Sequence, residues 1–218
     1  MLSIKGNNCC LFYFSLFRYD LHLPTMSETM TSVLEWVVLG LNVVFLLLLI
    51  RENIWCWIFG IVASLISVVL FFEAKLYSET LLYSVYVVLG VYAWVQWHTN
   101  SKKTPMPIQT KSLVFHGKAL VIGFLVWFGL GFFFKTYTDS NLPWADACST
   151  SFAFVATYLE AKKVLHHWIY WIGVNVFSIW LYHTRSLPVL ALMMFGFTIF
   201  SVVGYIAWKK RLKLQVTP

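Results

Sequence analysis

The feature that most constrains this chain is that its apolar residues arrive in successive blocks, each near the length that crosses a lipid bilayer. A spanning helix takes about 20 mostly apolar residues. Seven blocks meet that description, at 33–50, 54–72, 77–97, 120–134, 145–159, 168–182 and 187–208, of which the fourth to sixth are short. Composition agrees: 60% of the residues are hydrophobic and 11% charged, against roughly a quarter charged in a soluble domain. A soluble core could not absorb that much apolar surface. The expected class is an all-α integral membrane protein with seven transmembrane helices.

The net charge of +7 is explained by where the basic residues fall rather than by nucleic acid binding. Arg51, Lys102, Lys103, Lys111, Lys118, Lys162, Lys163, Lys209, Lys210, Arg211 and Lys213 all fall on the side reached after helices 1, 3, 5 and 7, which collects 11 of the 16 basic residues. Basic residues are retained on the cytoplasmic face during insertion. A multi-pass protein of the bacterial inner (plasma) membrane is therefore expected, with its N-terminus outside and its C-terminus cytoplasmic. The first 25 residues mix an aromatic run with Lys5, Arg18 and Asp20. They read as an interfacial segment, a poor signal peptide or an over-extended reading frame starting in truth at Met26 or Met30, the last being favoured. Cys9, Cys10, Cys56 and Cys148 lack zinc-site spacing and read as small apolar residues.

Part of the sequence repeats at an offset of 111 residues. Trp57 pairs with Trp168, Ser67 with Ser178, Trp97 with Trp208 and Glu35 with Asp146. The two tryptophan pairs, ungapped over 40 residues, carry most of the weight. The offset superimposes helices 1 to 3 on helices 5 to 7 and leaves helix 4 as a connector. The expected organisation is an N-terminal segment 1–30, a first three-helix bundle 31–97, a polar linker and connecting helix 98–134, a second bundle 135–208 and a basic tail 209–218. One connecting helix makes the two bundles parallel, a 3+1+3 repeat about an axis along the membrane normal.

Polar residues within a span are candidates for function, because lipid gives them no partner. The fifth helix opens with Leu142-Pro143-Trp144-Ala145-Asp146 and continues through Ser149, Thr150, Ser151 and Thr157, so it should face the interior. Asp146 is read either as an N-terminal charge at the membrane surface or as a gate or counter-charge near the entrance, and Glu35 shares both readings. Asn175, with Ser178 and Trp171 on the same face, either contacts substrate or bonds between helices. Trp57, Ser64 and Ser67 form a weaker stripe on helix 2. On helix 3, Tyr83, Tyr86 and Trp94 sit at positions where rings stack on a flat ligand or attract a cation, whereas Trp97, His98 and Trp208 read as an interfacial belt. Gly123, Gly129 and Gly131 read as close-packing positions on helix 4. No cofactor or metal is expected: the six histidines are scattered, and no phosphate loop or catalytic set is present.

Taken in order, Glu52-Asn53-Ile54-Trp55-Cys56-Trp57-Ile58-Phe59-Gly60, Lys75-Leu76-Tyr77-Ser78-Glu79, Tyr92-Ala93-Trp94-Val95-Gln96-Trp97, Leu142-Pro143-Trp144-Ala145-Asp146-Ala147, Trp168-Ile169-Tyr170-Trp171, Val174-Asn175-Val176-Phe177-Ser178-Ile179 and Gly204-Tyr205-Ile206-Ala207-Trp208 resemble the PnuC family of nicotinamide riboside transporters. The resemblance covers residues 36–210 and implies a SWEET-like fold, a trimer, and facilitated diffusion of a vitamin-like NAD precursor drawn inward by its phosphorylation in the cell. Two positions depart from the family pattern, Ala93 for the usual Gly and Glu79 for the usual Asp. Relatives implied to carry thiamine, riboflavin or deoxynucleosides leave the ligand open between cationic heteroaromatic vitamins and nucleosides. The substrate-binding candidates are Trp57, Ser64, Tyr83, Tyr86, Trp94, Gln96, Thr150, Trp171, Asn175 and Ser178, with Glu35 and Asp146 at the gate or entrance. A membrane-integral enzyme or a non-transporting scaffold is the competing class, but no interior titratable cluster supports the former, and the latter needs no matching polar positions in both halves.

Overall fold

In lipid a chain must satisfy its own backbone N–H and C=O groups, so each apolar block closes into a helix. The computed structural model describes residues 28–73, 77–101, 106–138 and 140–216. Seven helices are present among them: α1 Glu28–Ile50, α2 Cys56–Glu73, α3 Tyr77–Ser101, α4 Leu113–Tyr137, α5 Pro143–Ala161, α6 His167–Thr184 and α7 Pro188–Val216. The alternatives for the first 25 residues, with Cys9 and Cys10, lie outside the described residues.

Two helices outrun their apolar blocks. α4 starts at Leu113, where the Ser112 hydroxyl caps it by accepting from the Phe115 N–H at 3.3 Å, and it continues through His116 and Lys118 before the apolar run begins. α7 similarly extends beyond Lys213. Hydropathy marks what lipid covers, whereas backbone hydrogen bonding continues into water.

Five of the helices, α1, α2, α3, α4 and α7, are long and apolar enough to cross a membrane. The other two, α5 and α6, carry the largest share of the buried polar side chains: Asp146, Thr150, Ser151, Thr157 and Glu160 on α5, and Asn175 and Ser178 on α6. Large apolar side chains such as Val88, Leu125, Phe128 and Leu192 are instead exposed on the outside of the bundle, the arrangement a hydrocarbon solvent favours.

α2 packs between α1 and α3, and α6 between α5 and α7. The two sets meet where α3 packs on α5 and α1 on α7, while α4 packs on α5. Local geometry recurs at the offset of 111. The Glu52 N–H donates to Leu49 O and the Asn53 N–H to Leu48 O, each at 2.9 Å; at the later turn the Lys163 N–H donates to Glu160 O at 2.9 Å and the Val164 N–H to Leu159 O at 3.0 Å. Glu52 and Lys163 both adopt positive φ, 58° and 50°. The edge-to-face pair Trp57–Trp97, centroids 5.6 Å apart, is matched by Trp168–Trp208 at 5.7 Å.

Those tryptophans correct one expectation. Trp97 and Trp208 are not interfacial belt residues: they are 3% and 0% exposed and sit in the central core. The Trp97 indole donates to Ala161 O at 3.0 Å and the Trp208 indole to Leu49 O at 3.2 Å, so each ring ties one half of the bundle to the other. His98 is exposed and stacks on Trp94. Of the helix 4 glycines, Gly123 faces Phe152 and Gly131 the Trp144 ring closely enough to exclude a Cβ, but Gly129 has open space around it. Cys56 is buried and Cys148 half-buried, and both are free thiols.

Candidate functional site

Between the two sets of helices lies a cavity of about 230 Å³. Its lining comes from six helices of both halves: Asn42 and Phe45 of α1, Trp57, Gly60 and Ser64 of α2, Tyr83, Tyr86 and Gly90 of α3, Thr157 and Glu160 of α5, Trp171 of α6, and Leu190, Met193, Met194 and Phe197 of α7. Gly60 with Trp171, Tyr83 with Met194 and Tyr86 with Phe197 are pairs at the repeat offset, so the cavity lies where the two halves face one another. Ligand pockets run to roughly 300–1,000 Å³; this one falls just below that range and has room for a single small molecule at most.

The walls are aromatic and held by ring contacts. Tyr83 stacks on Phe71 at 5.3 Å and tilts against Tyr86 at 5.7 Å, while Tyr86 meets Phe154 edge-on at 5.5 Å. Trp57 is wedged between Phe45 and Trp97 with its indole N–H unpartnered among the described residues. Across the cavity, the Trp171 indole donates to Glu160 Oε2 at 2.7 Å. Flat rings of this kind stack on a heteroaromatic ligand and attract a cation.

Five of the candidates read from sequence therefore come together: Trp57, Ser64, Tyr83, Tyr86 and Trp171. The others do not line this cavity. Asn175 is buried with its amide donating to Ser201 Oγ on α7 at 3.4 Å, which is the interhelical role. Ser178 and Thr150 are buried between helices. Trp94 stacks on His98 at the basic end of α3, and Gln96 is half-buried nearby. Glu35 is buried in α1, away from the cavity lining. Asp146 is buried at the start of α5 and already ion-paired: Arg185 Nη2 lies 2.9 Å from its carboxylate, and Ser140 donates to it as well. A carboxylate neutralised by its own arginine is not available as a counter-charge for a ligand.

The acid that does reach the cavity is Glu160, which sequence reading passed over. It stands at the end of α5 beside Lys162 and Lys163, where a charge looks like part of a solvated turn. The repeat held a signal, since the matching position of the first half is the apolar Leu49.

At the basic end the cavity is closed. Below Trp57 lie Trp97, Trp168 and Trp208, and beyond them Lys163 Nζ binds Glu52 Oε2 at 3.0 Å while Arg211 binds Glu52 Oε1 at 3.2 Å and Ile50 O at 2.7 Å. The segment before α4 docks here too, with Gln109 exchanging backbone hydrogen bonds with Lys163 and Leu165. Lys162, outside the spans, lies over the Tyr92 ring at 5.1 Å, and a hydrogen bond to Tyr92 pushes its ammonium above the usual lysine range. Among the described residues, no three His, Cys, Asp or Glu side chains group to hold a metal.

A multi-pass helical bundle with a small cavity between its two sets of helices, and with contacts joining those sets at one end, has the architecture of a membrane carrier. Residues 32–210 match the family model described as nicotinamide mononucleotide transporter, and the chain belongs to that family. It is 22% identical over 183 residues to the nicotinamide riboside transporter PnuC of Escherichia coli K12, covering 72% of this chain and 77% of that protein, and equally to the Shigella flexneri protein of the same name. The crystal structure of the vitamin B3 transporter PnuC superimposes with a TM-score of 0.67 at 22% identity over 84% of this chain and 83% of that one.

Proposed function

We propose that this chain moves nicotinamide riboside, in preference to the phosphorylated mononucleotide, across the bacterial inner membrane by facilitated diffusion. The observation that supports this reading is the chemistry of the cavity wall: six aromatic rings, the hydrogen-bonding side chains of Asn42, Ser64 and Thr157, one carboxylate, and no Lys, Arg or His among its lining residues. Rings accept the flat pyridinium and polar groups the ribose. A phosphate would bring about −1.5 to −2 of charge into a chamber that has an acid and no base. Like charges in a poorly solvated site repel strongly. The family description and the names of the curated relatives differ on this point, and the wall chemistry favours the riboside. Thiamine is the second reading, because it too is a cationic heteroaromatic of similar size.

In this reading Trp57, Ser64, Tyr83, Tyr86 and Trp171 contact the substrate, and the two three-helix bundles, joined by α4, rock as parallel repeats to open the chamber to either side. The basic end faces the cytoplasm and the N-terminus lies outside, following the charge bias. The assembled form is a homo-trimer, and phosphorylation in the cell keeps the inward gradient. Proteoliposomes without an ion gradient, loaded in parallel with labelled nicotinamide riboside, its mononucleotide and thiamine, test the proposal. Saturable equilibration of the riboside alone is expected. Uptake of the mononucleotide at a matching rate, or of thiamine alone, would overturn it.

A further inference from the structure

Glu160 is 1% exposed and lines the cavity. One of its carboxylate oxygens accepts from the Trp171 indole at 2.7 Å; the other, Oε1, is buried and has no hydrogen-bond partner among the described residues. No ion pair among the described residues reaches it. Of the two lysines that follow it, Lys162 lies 5.1 Å over the Tyr92 ring, and Lys163 is held by Glu52 at 3.0 Å and lies 4.3 Å over the Trp97 ring. Nor does the architecture require an acid at this place: its counterpart in the first half is Leu49, which fills the tryptophan core without any charge. A carboxylate buried without a cation is strongly unfavourable, so such a group either holds a proton or is matched by a positive charge brought to it. Here Glu160 is itself a lining residue of the cavity, so a cation bound there lies beside the carboxylate.

We propose that Glu160 is the counter-ion of a positively charged ring in the substrate, and so the residue that selects cationic over uncharged ligands of the same shape. The inference rests on the reading above that this cavity is the transport site. Trp171 orients the carboxylate by fixing one oxygen, leaving the other for the ligand. A second buried, unpartnered polar atom of the wall among the described residues, the Trp57 indole nitrogen, is a neutral donor and cannot distinguish charge.

The test uses matched pairs that differ in charge and little else: nicotinamide riboside against its reduced, uncharged dihydropyridine form, and thiamine against its uncharged deaza analogue. Each unlabelled compound competes, in proteoliposomes, with whichever labelled vitamin the intact protein takes up. The wild type should favour the charged member by about tenfold or more. Glu160→Gln should bring that ratio to within about threefold, the remainder being attraction of the cation to the aromatic walls, and Glu160→Asp should retain most of it. A purely structural role would change expression or rate without changing the ratio. Should Glu160→Gln fail to reach the membrane, the wild-type ratio still decides, since equal competition by both members of a pair overturns the proposal. Preference for nicotinamide riboside over mononucleotide and thiamine, without charge discrimination, would remove Glu160 and leave the transport reading standing. Preference for charged thiamine alone would do the reverse.

Discussion

Trp171 supplies the sharpest residue-scale expectation, because a single atom of its ring holds Glu160. Trp171→Phe keeps an aromatic wall and removes the donor. Hydrogen bonds to charged groups contribute about 1.5–3 kcal/mol, and each 1.4 kcal/mol corresponds to roughly tenfold in affinity. Half-saturation for uptake should therefore rise by about tenfold or more with little change in folded protein. An unchanged concentration dependence would show that the indole merely fills space. Asp146 invites the opposite experiment. Its carboxylate compensates the buried Arg185 guanidinium, and breaking a buried pair costs about 3–5 kcal/mol. Asp146→Asn should lower the melting temperature in detergent markedly, and the double change Asp146→Asn with Arg185→Gln should recover part of the loss. A variant melting like the wild type would return Asp146 to the role of an entrance charge. Sequence alone found Trp171 because it shares a helix face with Asn175 and Ser178. It missed Glu160, which lies one residue past the apolar block that ends at 159 and reads as the beginning of a basic turn.

At the scale of helices, the spans were legible because lipid imposes a length that hydropathy records directly. What hydropathy could not show is which polar faces meet. Asn175 and Thr150 are polar enough to suggest a ligand, yet a membrane helix also uses such residues to bind its neighbours, and only the packing of α6 on α7 decides between the two for Asn175. The tryptophans near helix ends posed the same ambiguity, and Trp97 and Trp208 proved to be clasps between halves. Close packing gives a test at this scale. A Cβ built on Gly204 of α7 would stand 2.5 Å from the buried Trp168 ring, whereas one on Gly40 of α1 would meet nothing within 4 Å. Overpacking typically costs about 1–3 kcal/mol, so Gly204→Ala should lower thermal stability in detergent while Gly40→Ala leaves it unchanged. Ala93 stands at the position that matches Gly204, so the extra methyl is tolerated in the first half. Equal stability of the two variants would show that Trp168 yields without strain.

For the molecule as a whole, the decisive feature is that the two turns matched by the repeat bind each other. Glu52 and Lys163 stand 111 residues apart in sequence and 3.0 Å apart in space, with Arg211 on the same carboxylate and the tryptophan cluster between this network and the cavity. Any motion that opens the chamber toward the basic end must part these groups, since they join elements of opposite halves. The Lys163 and Glu52 side chains are only 7% and 15% exposed, so their attraction is less screened than that of a surface pair, for which the usual contribution is about 0–1 kcal/mol. Lys163→Met should therefore shift the resting population toward a chamber open at the basic end. A cysteine at Ser64, in a background with Cys9, Cys10, Cys56 and Cys148 replaced, reports this: a membrane-impermeant thiol reagent applied to inside-out vesicles should label it several-fold faster in the Lys163→Met background, and more slowly when applied from the other side. Exchanging the charges, Glu52→Lys with Lys163→Glu, should restore only part of the closure, because Arg211 would then face a lysine. Labelling that ignores the ion pair would mean that Trp57, Trp97, Trp168 and Trp208 hold the closed end by packing alone, and that the energetic barrier to opening lies in separating rings rather than charges.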